Sequence, residues 1–159
     1  MQQFLSNLDL GANGLWFPVT ASILFALAVL IIPKKIISWR EIYITFGVVG
    51  FITWFSDGLI ARQLDLFDIG DPKKAGIGDL MSYTFIPSSL AILYLNYFTH
   101  RNRWKLTICF TFIALLIEFW MVYVGYMKYK GWNWYISTIV FLIAFGFLLP
   151  MHIKFIRKQ

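Results

Sequence analysis

Five stretches of this chain are each long and apolar enough to cross a lipid bilayer, and that constrains the fold more than any other feature. A membrane-spanning helix needs about 20 mostly apolar residues. Runs at about 14–33, 42–60, 80–98, 104–127 and 132–153 meet this requirement. They are continuous rather than alternating. Helices, which satisfy every backbone N–H and C=O internally, are therefore expected over barrel strands. Of the 159 residues, 59% are hydrophobic and 14% charged, where a soluble domain carries about 25% charged residues. That leaves too few charges to solvate a globular surface. A soluble enzyme, a disordered chain and a fibrous protein are excluded on this ground. The expectation is one all-α domain, a polytopic five-transmembrane-helix bundle of the cell membrane.

The net charge of +6 does not point to nucleic acid, because the basic residues stand in short loops between apolar runs. There they set topology and meet lipid headgroups. Lys34, Lys35, Arg40, Arg101, Arg103, Lys105, Lys154, Arg157 and Lys158 fall on one side, and Arg62, Lys73, Lys74, Lys128 and Lys130 on the other. The richer side should be cytoplasmic, which puts the N-terminus outside and the C-terminus inside. The first run follows no basic segment and precedes no small-residue cleavage site, so it reads as a retained span rather than a signal peptide. Tryptophans at 16, 39, 54, 104, 120, 132 and 134 fall near span ends, where interfacial anchoring is their expected role. The single Cys109 excludes an intramolecular disulfide framework. His100 and His152 have no cysteine or carboxylate at metal-ligand spacing, and neither a metal nor a cofactor is expected.

Ionisable groups inside spans are costly and face the bundle interior. Asp57, near the outer end of the second run, and Glu118, past the middle of the fourth, are the two candidates for ion or proton handling. Each lies roughly 20 Å from the inner end of its helix, at a similar depth. Tyr43, Gly47, Gly50, Trp54, Asp57 and Ala61 recur at helical spacing, as do Thr107, Thr111, Ala114, Glu118 and Gly125. Small and polar residues of this kind line helix contacts. The second and fourth spans are therefore expected to meet, with the two carboxylates near each other or beside one polar cavity. Arg62, five residues from Asp57, is the candidate partner of these carboxylates, although its helical angle is poor. In the third run Pro87 frees a carbonyl near Tyr83, among neighbouring hydroxyls. The loop at about 61–79 holds Asp65, Asp68, Asp71 and Asp79, candidates for a weak external cation without the spacing of an EF-hand.

Two resemblances follow from particular residues. The stretch T-W-F-S-D-G-L-I-A-R at 53–62 resembles the start of the CDP-alcohol phosphatidyltransferase signature, D-x-x-D-G-x-x-A-R and then G-x-x-x-D-x-x-x-D. The resemblance implies aspartates holding divalent metal ions against a diphosphate. Asp57, Gly58, Ala61 and Arg62 match, but Trp54 stands at the first aspartate, Lys74 at the third, and the last is missing. Several other segments are similar to a family of small multi-spanning membrane proteins of spore-forming Firmicutes. They are P-K-K-I-I-S-W-R-E-I-Y after the first run, L-D-L-F-D-I-G in the loop, P-S-S-L-A-I-L-Y-L-N-Y-F, I-E-F-W at Glu118 and K-G-W-N-W-Y-I-S before the last run. This second resemblance implies a five-helix membrane protein of a Gram-positive cell and no activity.

Three functions remain open. The first is a non-catalytic membrane component, a subunit, sensor or assembly factor, whose partners are membrane lipids and another copy or another membrane protein. The second is an oligomeric transporter or channel using Asp57 and Glu118. The third is a lipid-processing enzyme, for which the sequence offers neither a nucleophile nor a full ligand set.

Overall fold

The computed structural model describes residues 8–71 and 76–157. Its helices are α1 (Trp16–Ile31), α2 (Trp39–Asp57), α3 (Ile77–Tyr97), α4 (Arg103–Tyr123), α5 (Trp134–Ile143) and α6 (Leu149–Arg157). Wider π-helical turns lengthen two of them. Gly58–Gln63 continues α2, and Ala144–Leu148 joins α5 to α6 as one rod. Two short strands, β1 (Phe67–Ile69) and β2 (Met127–Tyr129), pair antiparallel with Asp68 opposite Lys128.

Three rods are long and apolar enough to cross a membrane: Trp39–Gln63, Arg103–Tyr123 and Trp134–Arg157. Helix α1 is apolar but has only 16 residues, about 24 Å of helix. Helix α3 has the length, at 21 residues, but not the apolarity, because Gly78, Ser82, Ser88, Ser89 and Asn96 dilute it. It is nonetheless the centre of the bundle. It packs along α1 and α2 and touches α4 and α6. Its small and hydroxyl side chains let those helices approach closely, and they are buried. Large apolar residues face outward instead, among them Leu24, Phe51, Phe55, Ile108, Phe112 and Ile139. The outside of the bundle is thus greasier than much of its core.

Helix boundaries follow local chemistry. Ser38 and Glu41 form a reciprocal capping box at the start of α2, and Asn133 caps α5 through the N–H groups of Tyr135 and Ile136. The fourth apolar run, expected to stay helical to 127, stops at Tyr123. Gly125 adopts φ +78°, its N–H reaching Val122 O at 3.0 Å and that of Tyr126 reaching Met121 O at 2.9 Å. That pair of bonds closes the helix, and glycine takes the left-handed backbone it needs without strain. Met127 then enters β2, which hydropathy alone does not distinguish from a continued span.

The rod of α5 and α6 widens before Pro150, which has no N–H to give back to the preceding turn. Arg103 of α4 fills the gap, donating Nε–H to Gly146 O at 2.8 Å. At the same end of the bundle Lys34 donates to the last carbonyls of α1, and buried Asn96 pins the α1–α2 loop. Asn96 accepts the Lys35 N–H at 2.8 Å and donates to Pro33 O at 3.0 Å. Arg157 pairs with Glu41 at 2.7 Å. This is the basic end, and the strand ladder marks the other. The parts of the charge count that rest on Lys73, Lys74 and Lys158 lie outside the described residues.

Candidate functional site

The ladder end gathers the singled-out carboxylates, starting from an irregularity in α2. Five residues apart on an α-helix, Asp57 and Arg62 would face different directions. From Gly58 onward the backbone is π-helical, with the Leu64 N–H reaching Leu59 O at 3.0 Å. Each turn closes one residue later, which brings Arg62 back over Asp57. The Arg62 Nε lies 3.5 Å from Asp57 Oδ2. The other oxygen of Asp57 accepts the hydroxyl of Tyr83 on α3. Trp54, one turn earlier, meets the Tyr83 ring edge-on at 5.3 Å and donates Nε1–H to Thr84 at 3.2 Å. It therefore braces α2 on α3 rather than acting only as an interfacial anchor. It also fills the position where the phosphatidyltransferase pattern needs its first aspartate.

Glu118 is held by different elements. Its Oε1 accepts Tyr129 Oη–H of β2 at 2.5 Å and Ser137 Oγ–H of α5 at 2.6 Å. Trp132 donates to the same serine at 2.7 Å. One carboxylate oxygen thus ties α4 to the ladder and to α5.

The expected contact between the second and fourth spans does not form, because α3 lies between them and α2 packs on α3. Of the helical face proposed for α2, Gly50 approaches Ser88, but Tyr43 is exposed and Gly47 has open space beside it. On α4, Thr107, Thr111, Ala114 and Glu118 are buried as expected. The two carboxylates do share a cavity, but it is apolar rather than polar. A cleft of about 280 Å³ has rims on α2 and α5 and a floor from α3 and α4. Ile60, Ile86, Leu90, Ile117, Met121 and Phe141 line it, with Asp57 and Glu118 among them. Phe67, Ile69 and Met127 of the ladder also contribute.

A second, polar cavity of about 180 Å³ adjoins it, and Asp57, Phe67, Ile69 and Tyr83 line both. Its remaining lining includes Arg62, Asp65, Asp68, Asp71 and Asp79. The loop aspartates are engaged within the protein. Lys130 lies 2.6 Å from Asp65 and 3.0 Å from Asp68, and these hydrogen bonds hold its ammonium above the usual lysine range. The Asp71 N–H donates to Asp9 Oδ2 at 3.0 Å. Asp79 accepts Tyr126 Oη–H at 2.6 Å and the Gly76 N–H at 3.3 Å, fixing the start of α3 to the segment after α4. Burial, and then the neighbouring carboxylates Asp79 and Glu118, push Tyr126 and Tyr129 above the usual tyrosine range, so both remain donors. Among the described residues, no three metal-ligating side chains gather.

Four partners of these carboxylates, Tyr83, Tyr126, Tyr129 and Ser137, carry no signal in hydropathy or spacing. Tyr83 comes nearest, since Pro87 marks its turn. The geometry describes a membrane-type helical bundle with an apolar cleft opening beside an acidic chamber at one end. Comparison with protein-family models, characterised proteins and solved structures finds no match for the chain.

Proposed function

We infer that this chain is a multi-pass protein of the cell membrane that works without chemistry, as a subunit, sensor or assembly factor acting through helix contacts. In this reading all five helical rods cross the bilayer, the N-terminus lies outside and the basic end is cytoplasmic. One observation carries it: both intramembrane carboxylates are held by the protein's own donors, Asp57 through both oxygens and Glu118 through one. Asp57 is bound by Tyr83 and Arg62, and Glu118 by Tyr129 and Ser137. Groups committed in this way stabilise helix contacts. The greasy exterior around a hydroxyl-rich α3 supports a bilayer as the solvent. A lipid-processing enzyme fits least, because Asp57 stands without the other carboxylates of the signature it resembles.

Reporter fusions at Met1 and Gln159 test the topology, and opposite accessibility is the expected result. Matching signals would mean that the spans are miscounted. A transporter is the second reading, favoured by the fact that Asp57 and Glu118 line one cleft. Liposomes carrying the chain and a pH-sensitive dye decide between the two. The proposal expects no dissipation of a proton or sodium gradient. Flux that Glu118→Gln abolishes would overturn it in favour of transport.

A further inference from the structure

We propose that the cleft between α2 and α5 holds one chain of a bilayer lipid whose headgroup carries an amine, the ammonium sitting in the adjoining acidic chamber. The inference rests on the membrane reading above and names the ligand of that site. Size is the first support. The cleft, at about 280 Å³, approaches the roughly 300–1,000 Å³ of small-molecule sites. From Ser82 to Leu90 it follows α3 for about 12 Å. Access is the second. Its rims belong to two rods long and apolar enough to cross a membrane, and these rods do not pack on each other, so a lipid chain enters sideways from the bilayer. Val140 on one rim is exposed, and the floor is aliphatic or aromatic except for Ser82 and for Glu118, whose Oε1 is already held by Tyr129 and Ser137.

Charge fixes the headgroup. The chamber of about 180 Å³ far exceeds the roughly 10–15 Å³ that one water needs. It shares the wall made by Asp57 and Tyr83 with the cleft, so an amphiphile lying in one reaches the other. Among the described residues, and even with Asp71 left aside, Asp57, Asp65, Asp68 and Asp79 outnumber Arg62 and Lys130, the cations paired with them. An anionic headgroup would meet that excess and be repelled, whereas an ammonium is drawn in. Arg62, half exposed at the chamber wall, stands where the phosphate of a zwitterionic lipid would pass.

The test uses the full chain in nanodiscs made of equal parts phosphatidylethanolamine and phosphatidylglycerol with identical acyl chains. Native mass spectrometry identifies the lipid that stays on the protein. Retention of the ethanolamine lipid is expected to exceed that of the glycerol lipid by at least about tenfold. Val140→Trp, made at an exposed rim position, should lose the retained lipid while keeping wild-type helicity. Asp57→Asn should lower the selectivity. Asp65→Asn, at an exposed side chain whose ion pair with Lys130 lies at the surface, probes the same charge if the first variant fails to fold. Equal retention of both lipids, preference for the glycerol lipid, or retention unchanged by Val140→Trp would each overturn the site. A chain recovered outside the discs would instead overturn the membrane reading itself, so the two failures are distinct.

Discussion

Removing the acceptor at Glu118 isolates one contact that binds three elements. Glu118→Leu keeps the volume apolar and leaves the hydroxyls of Ser137 and Tyr129 without the oxygen they share at 2.6 and 2.5 Å. A buried orphaned donor costs about 1–3 kcal/mol. Ser137 is 2% exposed and bears that cost in full, whereas half-buried Tyr129 can turn toward solvent and adds less. Hydrogen bonds between helices in bilayers average about 0.6 kcal/mol and reach about 1.7, which draws the total to the lower part of the range. The expected loss for Glu118→Leu is therefore about 1–2 kcal/mol. Glu118→Gln retains a carbonyl oxygen for both donors and should stay within about 1 kcal/mol of wild type. Unfolding in mixed micelles by rising dodecyl sulfate fraction measures both. A double-mutant cycle of Glu118→Leu with Ser137→Ala should give a coupling of about 0.6–1.7 kcal/mol. Zero coupling, or a Gln variant as unstable as Leu, would refute the reasoning.

Other perturbations test separate joints of the fold by the same assay. Gly78→Ala puts a methyl against the Tyr126 hydroxyl and 2.5 Å from Leu15 Cδ1, and should cost about 1–3 kcal/mol. Gly47→Ala meets nothing within 4 Å on a helix and should instead gain about 0.5–1 kcal/mol; a loss there would show α2 to be packed differently. Asn96→Ala removes the pin on the α1–α2 loop and should cost about 1–3 kcal/mol, with faster proteolysis at Lys34 and Lys35. Arg103→Met leaves Gly146 O without its donor, and adding Pro150→Ala, which restores a local N–H, should recover most of the loss. No recovery in the double variant would separate the arginine from the proline.

Hydropathy alone located four of the helices to within a few residues, because a long, mostly apolar run is a signal that no single local detail cancels, although only three rods have the length and apolarity of a span. It overran the fourth to 127, since Val124, Tyr126 and Met127 continue the apolar run, while a single glycine backbone conformation ends the helix at Tyr123. The strand ladder was invisible, as three-residue alternations such as F-D-I and M-K-Y are too short to separate from loop.

The sequence by itself determined that the chain is an apolar helical bundle, and it picked out Asp57, Glu118 and Arg62 as the groups whose burial needs explaining. Only the tertiary structure decided what they touch. The Asp57–Arg62 pair depends on a π-helical turn, a backbone winding that residue spacing read at 3.6 per turn excludes. The separation of α2 from α4 depends on α3, the least apolar of the long helices, taking the central place. Its serines and Asn96 lower its hydropathy, yet in a bundle with an apolar exterior the interior is where hydroxyls and amides find partners. The cleft and the acidic chamber follow from that arrangement: they are spaces left between elements, and a linear pattern records the residues that line a space but not the distances between them.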